Sequence, residues 1–264
     1  MHGIFYDSIH DEIVVPVALG GAVLTLPGDA AGDAPPKRTL QGPKTGIVQP
    51  DTVYVDLVHD ELIVESGDES VLVFPRDARG DVAPKRRIGG PNSGVSDIYG
   101  LAADSKRDCL VVANRVRSGV RASDDAILVF NRTDNGDPKP RNKIAGPHTG
   151  IIKIRQVDVD EERGLIFATI KNNFENYNVN DPRPSPWDPD RTGFIGVWSI
   201  DDDGDVPPRG VIKGPATGLV WPAGVAFNPR QHEIYAIDSV SNALFTFKMP
   251  EFFLKAPGST PAGR

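Results

Sequence analysis

The chain has 264 residues, a hydrophobic content of 39% and a formal net charge of −7. Acidic and basic residues interleave, so the chain has no basic stripe that could neutralise phosphates, and this excludes nucleic acid as a partner. No apolar run approaches the roughly 18 residues of a membrane span, and the N-terminal residues lack the basic and apolar regions of a signal peptide. The composition is typical of a soluble globular protein and specifies neither a compartment nor an oligomeric state.

A framework of 25 residues occurs four times along the chain. Each copy begins with Gly-Asp, and Pro and a basic residue follow four and five residues after that Gly. Ten residues after the same Gly, the element Gly-Pro-x-(Thr/Ser)-Gly begins. An acid or amide, which we term the closing residue, ends each copy. Such a fixed period is typical of an array of similar structural units. The copies run over residues 32–56, 80–104, 136–160 and 204–228.

Between these copies, short apolar runs are separated by turn residues, and none has the spacing of a long helix. In the second unit the runs are 52–56, 62–65, 71–74 and 85–88, which we interpret as strands A to D. Four strands in a unit of about fifty residues are typical of a blade of a β-propeller. In the last unit, residues 251–255 are the candidate outer strand. We therefore predict an all-β, five-bladed β-propeller of four-stranded antiparallel blades, a single domain over 1–264 with blades at 1–45, 46–93, 94–149, 150–217 and 218–264.

The fifth unit has the most distinctive pair of strands. Its strand A reads Pro-Ala-Gly-Val-Ala-Phe-Asn over 222–228, and its strand B reads Glu-Ile-Tyr-Ala-Ile-Asp over 233–238. This pair resembles the NHL repeat. The NHL pattern is a Pro-x-Gly-Ile/Val-Ala-x-Asp strand followed by an Ile-Tyr-Val-Ala-Asp strand. The resemblance extends over nearly the whole chain at lower stringency. Because NHL propellers usually have six blades, it implies an alternative in which the chain is a fragment of a six-bladed propeller.

The units differ in length, and the difference always arises at the same position of the unit. From the closing residue to the next Gly-Asp the intervals are 25, 24, 32 and 44 residues, and the additional residues fall between strands B and C, at 115–125 and 171–193. In a propeller the B–C loops and the D–A loops emerge on the same face. Since variable loops on a rigid scaffold commonly carry binding, we predict that this face binds the ligand.

The D–A loops are expected to deliver side chains to the mouth of the central channel at equivalent positions of each blade. Arg155 and Lys153 suit a carboxylate or phosphate, and Tyr99 offers a hydroxyl. In the longer insertion, aromatic and amide side chains suit a sugar or a peptide. The first ring is His2, Asp51, Tyr99, Arg155 and Ala223, and the second is Gln49, Asp97, Lys153 and Trp221. The predicted ligand-binding residues are Asp97, Lys153, Arg155, Trp221, Phe174, Tyr177 and Trp187.

Two families of related propellers hold a catalytic metal near this mouth. In gluconolactonase and phosphotriesterase-like propellers, Glu, Asn and Asp bind Ca²⁺ at the first ring, but here Asp51 is the ring's single acid and Arg155 would repel the ion. The peptidyl-hydroxyglycine lyase propeller employs Tyr and Arg beside zinc. In this sequence His10, His59 and His232 all fall in A–B turns on the opposite face. We therefore predict neither a metal nor a cofactor.

These observations favour a noncatalytic scaffold that presents a face of variable loops to a protein, peptide or glycan. The alternative is a lyase or hydrolase with its site at the channel mouth. In that case the catalytic groups would be Asp51, Tyr99, Arg155 and His2.

Overall fold

The computed structural model describes residues 3–116, 125–171 and 192–249, and it confirms the predicted five-bladed β-propeller. Blade 1 contains β1 (Phe5–Asp7), β2 (Glu12–Val17), β3 (Ala22–Pro27) and β4 (Arg38–Gln41). Blade 2 contains β5 (Val53–Asp56), β6 (Glu61–Ser66), β7 (Ser70–Pro75) and β8 (Arg86–Ile88). Blade 3 contains β9 (Asp97–Asp104), β10 (Cys109–Arg115), β11 (Ala126–Asn131) and β12 (Asn142–Ile144). Blade 4 contains β13 (Ile154–Asp160), β14 (Leu165–Ile170), β15 (Phe194–Ser199) and β16 (Gly210–Ile212). Blade 5 contains β17 (Pro222–Asn228), β18 (Glu233–Asp238) and β19 (Ala243–Lys248).

In every blade the strands pair in sequence order and antiparallel. The sheet of blade 5 has three strands within the described residues, and the predicted outer strand at 251–255 lies outside them. Helix is limited here to short 3₁₀ turns such as Pro43–Thr45, and no helix in the described ranges has the length and apolarity that a membrane span needs. In the second unit, the predicted strands agree with β5 to β8 to within one residue at each end.

The hydrophobic core consists of four clusters, each between two consecutive blades. Alternate residues of each strand face opposite sides of the sheet, so one blade contributes to the cluster on each side. Nearly every residue of β6, β7, β10, β11 and β14 is buried, because the central blades are covered on both faces. The largest fully buried side chains are Trp198, Phe74, Phe130 and Phe167.

The closing residue of each unit caps the A–B turn. The carboxylate of Asp56 accepts hydrogen bonds from the backbone N–H groups of Val58 (3.0 Å) and His59 (3.1 Å) and contacts His59 Nδ1 at 2.7 Å. Asp7 and His10 repeat this arrangement. As predicted, these histidines lie in A–B turns. The backbone N–H groups that bond to the closing side chain, as they also do at Asp104 and Asp160, explain why an acid recurs there.

The Gly-Asp and Gly-Pro elements form a contact between neighbouring blades, which we call the clip. Gly80 of blade 2 forms an isolated β-bridge with Leu40 of blade 1. Asp81 Oδ1 accepts a hydrogen bond from the backbone N–H of Lys44 in blade 1 at 2.6 Å. Equivalent bridges join Ile88 to Gly136 and Ile144 to Gly204. The Gly-Asp turn of each of blades 2, 3 and 4 therefore bonds to the outer strand of the preceding blade.

A buried ion triad reinforces two of the blade junctions. Glu61, which is 3% exposed, accepts two hydrogen bonds from Arg86 of its own blade (3.0 and 2.6 Å) and one from Arg132 of blade 3 (3.2 Å). Glu12, Arg38 and Arg76 form the same triad between blades 1 and 2. At the equivalent positions between blades 3 and 4 the chain has Cys109, Asn142 and Ile200, with Cys109 and Ile200 in the apolar core.

Candidate functional site at the channel mouth

The inner strands of three blades enter the channel through a β-bulge, and the bulges place the side chains of the first ring. The register shifts lie at Tyr99 in β9, at Arg155 and Gln156 in β13, and at Ala223 in β17. A bulged residue is not paired in the ladder, so its side chain can be redirected without disturbing the strand. The structure thus places Tyr99, Arg155 and Ala223 at equivalent positions, as the sequence spacing predicted.

Two arginines lie against the ring of Tyr99. The guanidinium carbon of Arg115 lies 4.4 Å from the ring centroid, and that of Arg155 lies 4.5 Å from it. Desolvation and the neighbouring Arg115 lower the pKa of Arg155, although an arginine remains charged at neutral pH. A guanidinium stacked on an aromatic ring keeps its N–H groups free to point outward, which suits recognition of a carboxylate.

A third cation, Lys171, lies over the indole ring of Trp221, with its Nζ 4.0 Å from the centroid. Desolvation, together with the positive charges of Arg155 and Arg115, lowers the pKa of Lys171 to about 8. The lysine therefore belongs to the same electrostatic cluster as the two arginines. Lys153 adds a further positive charge that acts on Lys171.

Acidic side chains from blades 2 and 3 face these cations. Asp51 and Asp97 both act electrostatically on Arg155 and on the buried carboxyl of Glu65. Glu65 accepts a hydrogen bond from the Asp51 N–H, and its burial raises its pKa to about 7. The mouth therefore has an acidic side from blades 2 and 3 and a basic side from blades 3 and 4.

Buried acids hold the loops that carry this site. Asp125 accepts hydrogen bonds from the N–H groups of Val116 (3.0 Å) and Lys153 (2.5 Å), and Asp238 accepts one from the Trp221 N–H (2.5 Å). Both Gln49 and Lys153 adopt positive φ, 43° and 54°, which is unfavourable for residues other than glycine. These contacts fix the D–A loops, so the site is assembled on a rigid backbone.

The structure brings together six of the predicted site residues: Asp51, Asp97, Tyr99, Lys153, Arg155 and Trp221. His2, Phe174, Tyr177 and Trp187 lie outside the described residues. Sequence reasoning missed Arg115 and Lys171, although both occur eleven residues after a closing residue, Asp104 and Asp160, as the first residue of an insertion. That shared repeat position was the signal that could have identified them.

Below the mouth, the channel contains a cavity of about 180 Å³ lined by the inner strands of all five blades, including Tyr54 and Asp158. Desolvation raises the pKa of Asp158 to about 6, and its carboxylate accepts a hydrogen bond from the Phe227 N–H of blade 5 at 2.7 Å. Asp158 thus joins blades 4 and 5. Within the described ranges no three His, Cys, Asp or Glu side chains are grouped as metal ligands would be.

We expect Glu65→Gln to change how stability depends on pH. Because the folded state keeps a proton on Glu65 up to about pH 7, against an ordinary pKa of 4.5, this residue makes the free energy of unfolding fall as pH rises between those values. The loss amounts to about 3 kcal/mol at most, at roughly 1.4 kcal/mol per pH unit. The Glu65→Gln variant should therefore be more stable than the native chain at pH 8. Its free energy of unfolding should also lack the fall between pH 4.5 and 7 that Glu65 causes.

Urea unfolding at pH 4.5, 6, 7 and 8 measures this effect. The control is Asp29→Asn, which removes one exposed carboxylate and should keep the native pH slope. An unchanged slope in Glu65→Gln would show that Glu65 ionises normally in the folded protein.

The fold is shared with many solved structures. No family model and no curated protein matches the chain. A chain in the crystal structure of the mitotic checkpoint complex is similar to it, with a TM-score of 0.58 and 14% identity. The match covers 91% of this chain but 62% of that chain, so the present chain spans less than two thirds of its length. In all, 1138 solved chains match, and a fold as widespread as this does not by itself identify a function.

Proposed function

We propose that the protein is a noncatalytic scaffold that binds an acidic segment of a partner protein at the channel mouth. The observation that carries this proposal is the cluster in which Arg115 and Arg155 stack on Tyr99 while Lys171 stacks on Trp221. Aromatic rings that hold cations in place reduce the entropy lost on binding. Such a surface suits the carboxylates of Asp and Glu side chains.

The two-sided charge of the mouth supports a peptide over a simple anion. Asp51 and Asp97 would repel a small, highly charged anion, but they can pair with a basic or backbone N–H group of an extended chain whose acidic residues contact Arg115 and Arg155. The opposite charges on the two sides of the mouth therefore set the direction in which the peptide chain lies across it. We further propose that the repeat is of the NHL type, on the strength of the sequence of β17 and β18.

A labelled acidic peptide tests this function. We expect a fluorescein-labelled peptide of alternating Glu and Gly residues to bind the chain in fluorescence anisotropy, and a Lys-Gly peptide of equal length to bind far less. Arg155→Gln and Arg115→Gln should each weaken binding by about tenfold, which corresponds to about 1.4 kcal/mol. The control Arg230→Gln removes an exposed arginine from the A–B turn of blade 5, on the opposite face, and should leave affinity unchanged.

The affinity for the acidic peptide should also depend on pH. Because the pKa of Lys171 is about 8, its charge is present at pH 7 and largely lost at pH 9, so affinity for the acidic peptide should fall over this range. Lys171→Arg should keep its charge and flatten the profile. Equal binding by the native chain, Arg155→Gln and Arg230→Gln would show that the mouth is not the binding site.

A further inference from the structure

A groove of about 220 Å³ lies at the junction between blades 5 and 1. It continues into the channel cavity of about 180 Å³, because Ile4, Gln156 and Ala226 are among the residues that line both spaces. Ile4 and Leu244, on the two walls of the groove, are 67% and 68% exposed, so the groove is open to solvent at the side of the ring. We call the groove and the cavity together the side path.

A small residue of blade 5 leaves this space open. The position two residues before the side chain that caps the A–B turn holds Phe5 in blade 1 and Tyr54 in blade 2, and their rings pack edge to face at 4.9 Å. Blade 3 has Ala102 at this position, and blade 4 covers it. Blade 5 has Ala226, which is exposed and lines the side path. The side path therefore occupies space that an aromatic side chain fills in blades 1 and 2.

Blade 4 has an acid at the same repeat position, Asp158. Its carboxylate lines the channel cavity and accepts hydrogen bonds from the N–H groups of Val159 (2.8 Å) and Phe227 (2.7 Å). Within the part of the chain that the structure describes, no Arg, Lys or His forms an ion pair with it, and Asp160 adds a further negative charge nearby. Because the pKa of Asp158 is about 6, the group is mostly ionised at pH 7.5. A desolvated carboxylate without a counter-ion therefore lies at the inner end of the side path.

We propose that the side path binds a small alkylammonium ion, with its charged group at Asp158 and its alkyl chain along the groove. The ammonium group would donate a charge-assisted hydrogen bond to the carboxylate. The rings of Phe5 and Tyr54 line the same cavity, and aromatic rings attract organic cations. The rest of the lining is mainly apolar, with residues such as Val225 and Ile237, and this suits an alkyl chain.

Other small molecules suit the side path less well. A divalent cation such as Ca²⁺ needs at least about six oxygen ligands, and Asp158 is the single carboxylate among the residues that line the cavity. A neutral apolar molecule would leave this carboxylate without a counter-ion, and an anion would be repelled by it. The side path thus selects a charge opposite to the one that the cations of the mouth select.

An NMR titration of the ¹⁵N-labelled chain with hexylammonium chloride at pH 7.5 tests the proposal. We expect saturable shifts of the amide signals of Phe227, whose N–H bonds to Asp158, and of Ile237 in the groove. The dissociation constant should be about 1 mM or lower. The matched ligands 1-hexanol and hexanoate have the same chain length without the positive charge, and they should bind about tenfold more weakly or less.

Two variants separate the charge of the side path from its space. Asp158→Asn keeps an acceptor for the Phe227 N–H but lacks the charge, so it should bind hexylammonium about tenfold more weakly and 1-hexanol as the native chain does. Ala226→Phe gives blade 5 the residue that blade 1 has at this position, so it should fill the groove and abolish the binding of both. The control Asp29→Asn removes an exposed carboxylate from the C–D turn of blade 1 and should change neither affinity.

Three results would overturn the proposal. The first is equal affinity of hexylammonium for the native chain and Asp158→Asn, because the carboxylate would then serve only to join blades 4 and 5. The second is equal affinity of the native chain for hexylammonium and 1-hexanol, a comparison that needs no variant to fold. The third is the absence of shifts at Phe227 and Ile237 up to about 10 mM hexylammonium, or shifts that Ala226→Phe leaves unchanged, because any binding would then occur elsewhere.

Discussion

Replacing Glu61 with Ala should lower the free energy of unfolding by about 3–5 kcal/mol, the cost of leaving a buried charge without its partner. Arg86 and Arg132 both direct their guanidinium groups at this carboxylate; Arg86 donates from both Nη atoms, and its buried Nε has no hydrogen-bond partner. Desolvation raises the pKa of Glu61, but the hydrogen bonds and charge of the two arginines bring it below its ordinary value. The carboxylate is therefore ionised and fully engaged at neutral pH.

The chain itself provides the matched variant. Glu61→Cys/Arg86→Asn/Arg132→Ile would give the junction between blades 2 and 3 the residues found between blades 3 and 4. Since an apolar group of similar volume can replace a buried ion triad at little cost, this triple variant should recover most of the stability lost in Glu61→Ala. Urea unfolding at pH 7 compares the three proteins. A triple variant as unstable as Glu61→Ala would mean that the triad is needed for the packing of that junction.

Replacing Gly90 with Ala should cost about 3–4 kcal/mol, because two independent penalties of about 1–3 kcal/mol each act at this position. Gly90 has φ 127°, a region that side chains strongly disfavour, and an added Cβ would lie 2.6 Å from Asp137 Cγ of the next blade. The clip would have to open, and the hydrogen bond from the Ser93 N–H to Asp137 (2.8 Å) would be lost.

Gly214→Ala separates the two penalties. Gly214 occupies the same repeat position in blade 4 and has φ 123°, but no atom lies within 4 Å of its added Cβ. Only the backbone strain applies there, so we expect a cost of about 1–2 kcal/mol. Thermal or urea unfolding of both variants gives the difference between their losses of unfolding free energy. This difference measures the contribution of the clip to stability. Equal losses in Gly90→Ala and Gly214→Ala would show that opening the clip costs nothing beyond the backbone strain.

The sequence predicted the blades well because each blade depends on local patterns. Short apolar runs of strand length and turn residues at fixed offsets are visible within one unit of the chain. The contacts between blades were not visible in this way. The roles of Gly80-Asp81 and Gly42-Pro43 as two halves of one clip, and the exposure of Tyr6 and Leu244, depend on which blade faces which in space.

The candidate site was predicted in part for the same reason. Positions counted from the closing residue correctly grouped Tyr99 with Arg155, because the repeat places both at a bulge of the inner strand. Arg115 is the last residue of strand B in blade 3, and Lys171 directly follows strand B in blade 4. Their stacking on Tyr99 and Trp221 shows that they face the mouth. The pKa of Glu65 likewise depends on burial that no spacing reveals.

The bulges at the mouth have a consequence for how such a protein can diversify. Tyr99, Arg155 and Ala223 differ in size, charge and polarity, yet the ladders that follow them keep the same pairing. Substitutions at these three positions therefore leave the pairing of the strands below them unchanged. Selection can change the specificity of the mouth one residue at a time while the stability of the ring, which depends on other residues, is preserved.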